Sequence, residues 1–242
     1  KKFIANDRAL LAGIWVDNSD ANTLPKTNLN NAAGSTNTLT VLGREAQAAV
    51  RHFGITDLNN ADIVIVQPPG LSDPNALSQG YCAFHDYLWP GIESNVYDGL
   101  TKGISYSNIP YQLAINSNGV NVCGENAVNS DARGKLDGFS IVLGHEMEET
   151  VTDPGAEDVV GTSATPTHLG GWYDTLDANE NGDKCAWVGL NPLTGEGTFP
   201  IPGALGNMTG NGGGTFAVQS LWSDAAAAGA GWCAGVNDLP GS

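Results

Sequence analysis

Positive charge is what this chain has least of. Lys and Arg number 10 against 26 Asp and Glu, a formal net charge of −16. Such a chain cannot neutralise phosphates, which argues against nucleic acid and anionic membrane surfaces as partners. No apolar run approaches the roughly 18 residues that a membrane-spanning helix needs. No Cys-x-x-Cys occurs, so zinc-ribbon and thioredoxin readings fall away. Charged residues of either sign make up only 15% of the chain, and solubility rests on Asn, Ser, Thr and Gly. Sparse lysine with many neutral polar residues points to a secreted, extracellular protein. The same balance suits acidic surroundings, because repulsion relaxes as carboxylates protonate.

What is present begins with four cysteines, Cys82, Cys123, Cys185 and Cys233, which allow three pairings. Cys82–Cys123 with Cys185–Cys233 is expected, since each pair then lies on its own side of the segment around His145. The 242 residues suffice to bury a full core, and no Pro/Ser linker or charge block divides them. Residues 1–242 are therefore read as one domain, expected to work as a monomer. Lys1-Lys2-Phe3 reads as a processed terminus, and Asn207-Met208-Thr209 is a glycosylation sequon.

The chemistry lies in Gly144-His145-Glu146-Met147-Glu148-Glu149-Thr150-Val151-Thr152-Asp153-Pro154. His-Glu-x-x-Glu differs by one residue from the metalloprotease pattern His-Glu-x-x-His. On a helix, residues four apart share a face. His145 and Glu149 would then hold one ion, with Glu146 beside it as the general base for an attacking water. Leu136, Phe139, Ile141, Val142, Leu143, Met147 and Val151 supply an apolar stripe at roughly helical spacing. Asp137 is placed as the N-cap, and Pro154 ends the helix near Thr152. Burying His145, Glu146 and Glu149 is costly unless they pair or bind a cation. The competing reading is an ordinary amphipathic helix with its glutamates in water.

Along the chain, Ile14-Trp15-Val16 is expected as a first strand and residues 43–53 as a helix stopped by Gly54. Residues 62–67 are the clearest strand, β-branched and stopped by Pro68-Pro69-Gly70. Residues 80–89 and 109–115 are further strand candidates, and a helix is expected over 219–228. Strands, a helix carrying His-Glu, then an irregular Gly-rich half give an α+β, zincin-like expectation: a small mixed sheet plus an active-site helix. That step is fold-level analogy.

A third ligand is sought in Trp172-Tyr173-Asp174-Thr175-Leu176-Asp177-Ala178-Asn179-Glu180-Asn181-Gly182-Asp183-Lys184-Cys185. Either Glu180 or Asp183 reaches the ion, their loop held by the Cys185 disulfide. Alternatively Asp177-x-Asn179-x-Asn181-Gly182-Asp183 binds Ca²⁺. It matches the start of an EF-hand loop, but Val188 stands where a bidentate Glu is required. The Tyr173 hydroxyl is a candidate oxyanion stabiliser. His85, on an aromatic strand, is a fourth ligand, an oxyanion donor or a satisfied structural histidine. His52 ends a surface helix, where a cation suits the dipole. His168 carries no motif.

Several segments together resemble the Exordium, or phosphate-induced, family. They are Gly80-Tyr81-Cys82-Ala83-Phe84-His85, Ile109-Pro110-Tyr111, Asp137-Gly138-Phe139-Ser140, His145-Glu146-x-x-Glu149, Asp153-Pro154, Trp172-Tyr173, Glu180-x-x-Asp183-x-Cys185 and Leu221-Trp222-Ser223 before Cys233. The ordered series spans roughly residues 60–235. It implies a secreted protein, favours Glu149 over Glu148, supports Glu180 and Asp183, and makes Asp153 a helix-end residue that supports the site from behind. The chain has fewer cysteines than the plant pattern and a Gly/Thr-rich insertion between Pro154 and Trp172. The resemblance leaves the biochemical activity open.

The function expected from these residues is a secreted zinc peptidase acting on peptides or proteins. His145, Glu149 and Glu180 would hold Zn²⁺, with Asp183 as the alternative to Glu180. Two anionic ligands cancel the charge of Zn²⁺ and weaken it as a Lewis acid, so another cationic or hydrogen-bonding group is required, or the metal is not catalytic. The rival expectation is a non-enzymatic extracellular signalling or wall-associated protein with a structural metal, and a third is a scaffold stabilised by calcium.

Overall fold

The run Asp62-Ile63-Val64-Ile65-Val66 forms β1 (Asp62–Val66), as its β-branched residues dictate. The computed structural model describes residues 10–17, 41–70, 76–77, 80–88, 103–154, 171–174, 179–186, 205–210, 212–223 and 232–234. Within them, β1 runs parallel to β3 (Ile104–Ile109), and β2 (Phe84–Leu88) is antiparallel to β3 on its other side. The result is a small mixed sheet in an α+β chain, with β3 central and wholly buried.

Alternation along β3 sends its residues to two different faces. Ile104 and Tyr106 meet Leu42, Ala46, Ala49 and Val50 of α1 (Val41–Phe53), together with Ile63 and Leu88. Ile109 faces the other way and packs with Ala83 and with Val142 of α2 (Asp137–Thr152). Ser107 is on that second face too, 3.3 Å from the Thr150 hydroxyl of α2. The sheet is thus sandwiched between the two helices, and α2 is pinned across β2 and β3.

The remaining strands are short. Asn116–Ser117 (β4) and Val120–Asn121 (β5) form a hairpin, as do Tyr173–Asp174 (β6) and Asn179–Glu180 (β7). Leu205–Thr209 (β8) pairs with Thr215–Gln219 (β9), and β9 lies along α2, where the Ser140 hydroxyl donates to the Ala217 carbonyl at 2.7 Å. Leu221–Ser223 (β10) pairs with Trp232–Ala234 (β11). The disulfides are Cys82–Cys123 and Cys185–Cys233, the expected pairing, and they suit an oxidising, extracellular compartment. No helix among the described residues is long and apolar enough to cross a membrane.

Several expectations are corrected. Residues 10–17 form no strand. Ile14 and Val16 are exposed, and Trp15 alone turns inward to stack on His52 with centroids 4.4 Å apart. His52 is thereby a ring partner of Trp15 and of Phe53 at a helix end. The strand expected at 109–115 ends at Ile109, because Pro110 has no N–H for a ladder, and Gln112–Ala114 is a single 3₁₀ turn. Its true extent was hidden by Ser105, Ser107 and Asn108, polar residues inside a buried strand. The helix expected over 219–228 is overturned at its start, since Gln219 ends β9 and Leu221–Ser223 is β10; residues 224–228 lie outside the described residues. Asp137 is not an N-cap. Its carboxylate accepts from the Val128 and Asn129 backbone N–H groups and the Asn129 amide, tying the preceding loop to the helix start. Leu136 and Val151, placed on the apolar stripe, are exposed.

Candidate metal centre

The helix α2 ends near Thr152 as expected, and His145 and Glu149 stand one turn apart on it. Their tips approach to 3.2 Å, from Nε2 to Oε1. Asp183 comes from the turn after β7 and places Oδ1 at 3.4 Å from the same His145 Nε2. The Asp183 backbone N–H donates to Glu149 Oε1 at 2.9 Å, fixing that oxygen beside the imidazole. Gly182 leaves room here for the two side-chain tips. A Cβ at this position would lie 2.7 Å from Glu149 Oε1 and 2.9 Å from His145 Nδ1.

His85 is not a detached structural histidine. It projects from β2 into a second group of acids that includes the other oxygen of Glu149. Its Nδ1 is 3.3 Å from Glu146 Oε2 and 3.6 Å from Glu149 Oε2, and its Nε2 is 3.4 Å from Glu180 Oε1. The Asp153 carbonyl, 2.9 Å from Nε2, accepts a hydrogen bond from that ring. Asp153 therefore supports the site through its backbone oxygen, while its carboxylate accepts from the Gly171 N–H at 2.8 Å. Together with the Trp172 N–H on the Thr152 carbonyl, this brings the chain back to the helix end after residues 155–170.

Burial and mutual contact shift these groups strongly. Burial alone would raise the Glu149 carboxyl, but hydrogen bonds with His145 and His85 outweigh it and hold Glu149 at about 2. Burial would depress both histidines. Glu146, Glu149 and Glu180 override it at His85, and Asp183 and Glu149 override it at His145, so both are raised. Burial pushes Glu180 up to about 7 and raises Glu146 as well, against the opposing pull of the neighbouring His85.

Two sets of three side chains bring ligand atoms within 4.8 Å of one another: His145, Glu146 and Glu149, and His85, Glu149 and Glu180. Histidine and acidic residues therefore cluster at metal-binding distance. Of the expected ligands, Glu149 and Asp183 each approach His145 Nε2, whereas Glu180 is directed at His85 on the other side. The Tyr173 backbone pairs with Glu180 in the β6–β7 hairpin, and its side chain is outside the described residues. Asp177 of the expected Ca²⁺ loop and His168 are also outside them, while Glu180 and Asp183 face histidines.

Gln219 is the contributor that sequence reasoning missed. Its amide nitrogen donates to the Gly182 carbonyl at 2.9 Å and approaches the Ser220 carbonyl at 3.4 Å. That leaves Oε1 toward His145 Nδ1 at 3.2 Å. An acceptor there calls for a proton on Nδ1 and leaves Nε2 as the nitrogen that faces Glu149 and Asp183. The site turn is held further by Cys185–Cys233, by the Trp222 N–H on the Asn181 carbonyl at 3.3 Å, and by the Lys184 ammonium 4.6 Å from the Trp222 ring centroid.

No protein-family model, curated protein or solved structure matches this chain.

Proposed function

We propose that this protein is a secreted zinc-dependent peptidase of zincin-like plan, related in its ordered motifs to the Exordium family. The observation that carries the reading is the His145–Glu149 pair with Glu146 buried beside it on one helix. Nitrogen and carboxylate donors suit Zn²⁺. The 3.2 Å from His145 Nε2 to Glu149 Oε1 agrees with the edge of about 3.4 Å expected for a tetrahedron with bonds near 2.1 Å. His145, Glu149 and Asp183 would hold the ion.

When bound, the ion supplies Lewis acidity to a water and to a peptide carbonyl. Glu146 accepts the proton of the attacking water and delivers it to the leaving amine. A carboxyl raised by burial is suited to both halves of that exchange. His85 steadies Glu146 through Nδ1 and provides the hydrogen-bonding help that the Glu-for-His exchange at Glu149 demands.

A second reading is favoured by one observation: the Glu146 tip belongs to the same ligand group as His145 and Glu149. If Glu146 itself closes the coordination sphere, the metal is structural and the protein a binding module. Glu146→Gln separates the two. As a base, Glu146 is dispensable for the metal, and the variant retains zinc and fold while cleavage of a peptide library falls by about 10²- to 10⁴-fold. Loss of zinc in that variant supports the structural reading, and undiminished cleavage defeats the role given to Glu146.

A further inference from the structure

We infer that the centre takes two divalent cations bridged by Glu149, the second held by His85, Glu149 and Glu180. The inference rests on the reading of His145 and Glu149 as metal ligands and extends it to a second ion.

Three observations carry it. The two oxygens of Glu149 are divided between two imidazoles, Oε1 at 3.2 Å from His145 Nε2 and Oε2 at 3.6 Å from His85 Nδ1. A carboxylate presented in this way is arranged to bridge two ions, as in centres where metals about 3.5–4 Å apart share a ligand. The His85, Glu149 and Glu180 ligand atoms all lie within 4.8 Å of one another. Glu180 Oε1 is buried without a hydrogen-bond partner, 3.4 Å from His85 Nε2.

Charge points the same way. The carboxylates gathered around the two histidines are Glu146, Glu149, Glu180 and Asp183, and three of the four are at most 12% exposed at the side chain. With both histidines acting as neutral ligands, one divalent ion would leave two of these negative charges uncompensated, which is costly. Two divalent ions cancel all four. Imidazole nitrogen with carboxylate oxygen selects Zn²⁺ or a similar transition dication over Ca²⁺.

The test is the zinc stoichiometry of the full chain. The protein is stripped with chelator, reloaded with Zn²⁺, freed of excess and measured by native mass spectrometry and elemental analysis. Two ions per chain are expected, falling to one in His85→Ala and in Glu180→Gln, with near-ultraviolet circular dichroism checking the fold. One ion in the wild type, retained in both variants, overturns the second site and leaves the His145 site standing. One ion in the wild type that is lost with His85 also overturns the bridged pair. Two ions that survive both substitutions overturn the ligand assignment. No ion at all defeats this inference and the peptidase reading together. Should His85→Ala fail to fold, the wild-type count and Glu180→Gln decide the matter.

Discussion

Gln219 shows how much a single amide decides. With its nitrogen committed to backbone carbonyls, only its oxygen is left for His145 Nδ1. Gln219→Leu should weaken zinc binding by about 10- to 100-fold, whereas Gln219→Glu, which keeps an acceptor, should restore most of it. Zinc titration by calorimetry reads both variants, and equal affinities would remove Gln219 from the site. Asp62 supplies a pH test at a residue that is not itself a proposed ligand. Burial raises its carboxyl to about 6, although Ser107 donates to Oδ2 at 2.9 Å. The folded value lies above the unfolded one, so the protonated form is favoured by folding. That stability is fully present below about pH 4 and is lost as pH rises through about 6. Asp62→Asn should be near neutral at pH 4 and more stable than wild type at pH 8, by up to about 3 kcal/mol. Denaturant unfolding of chelator-treated protein at the two pH values checks it; a gain that does not grow with pH contradicts the assignment. At this scale the sequence disclosed His145, Glu146 and Glu149, because helical spacing alone places them. It did not disclose Gln219, whose role exists only once β9 lies along α2, or how many acids surround His85.

Among the elements, the turn between β7 and Cys185 has to be rigid for Asp183 to meet His145. The Cys185–Cys233 bond spans 48 residues, and closing such a loop is worth about 4 kcal/mol in the unfolded chain. Replacing both cysteines by alanine should cost stability of that order. It should also weaken zinc binding by about tenfold, because Asp183 begins the turn that the bond anchors. Zinc titration well below the melting temperature separates the two effects, and unchanged affinity would mean that β10 and Gln219 suffice to hold the turn. The elements that could be read from sequence were those with a continuous apolar signal or a clear stop: α1 before Gly54, β1, and α2 before Pro154. β3 escaped because Ser105, Ser107 and Asn108 are polar at fully buried positions. Residues 219–223 were misread because an Ala-rich stretch follows them, while β10 is set by pairing with β11 across the second disulfide.

For the whole molecule, an excess of 16 negative charges is partly gathered in one interior site, so cation removal should be felt globally. With free zinc near 1,000 times its Kd, linkage contributes about 4 kcal/mol, which for a chain of this length is a melting shift on the order of 10 °C. Calorimetry with and without chelator measures it, and coincident melts would show that no tightly held ion contributes to the fold. The two disulfides give this expectation a particular form. Cys82–Cys123 staples the chain before α2 and Cys185–Cys233 staples it after, and with all four thiols consumed no covalent tie joins the two parts except the backbone through the helix. A cation gripping His85 from one part, α2 in the middle and Glu180 or Asp183 from the other would act as a third, reversible cross-link. Metal availability, rather than redox state, would then govern whether the halves stay clasped.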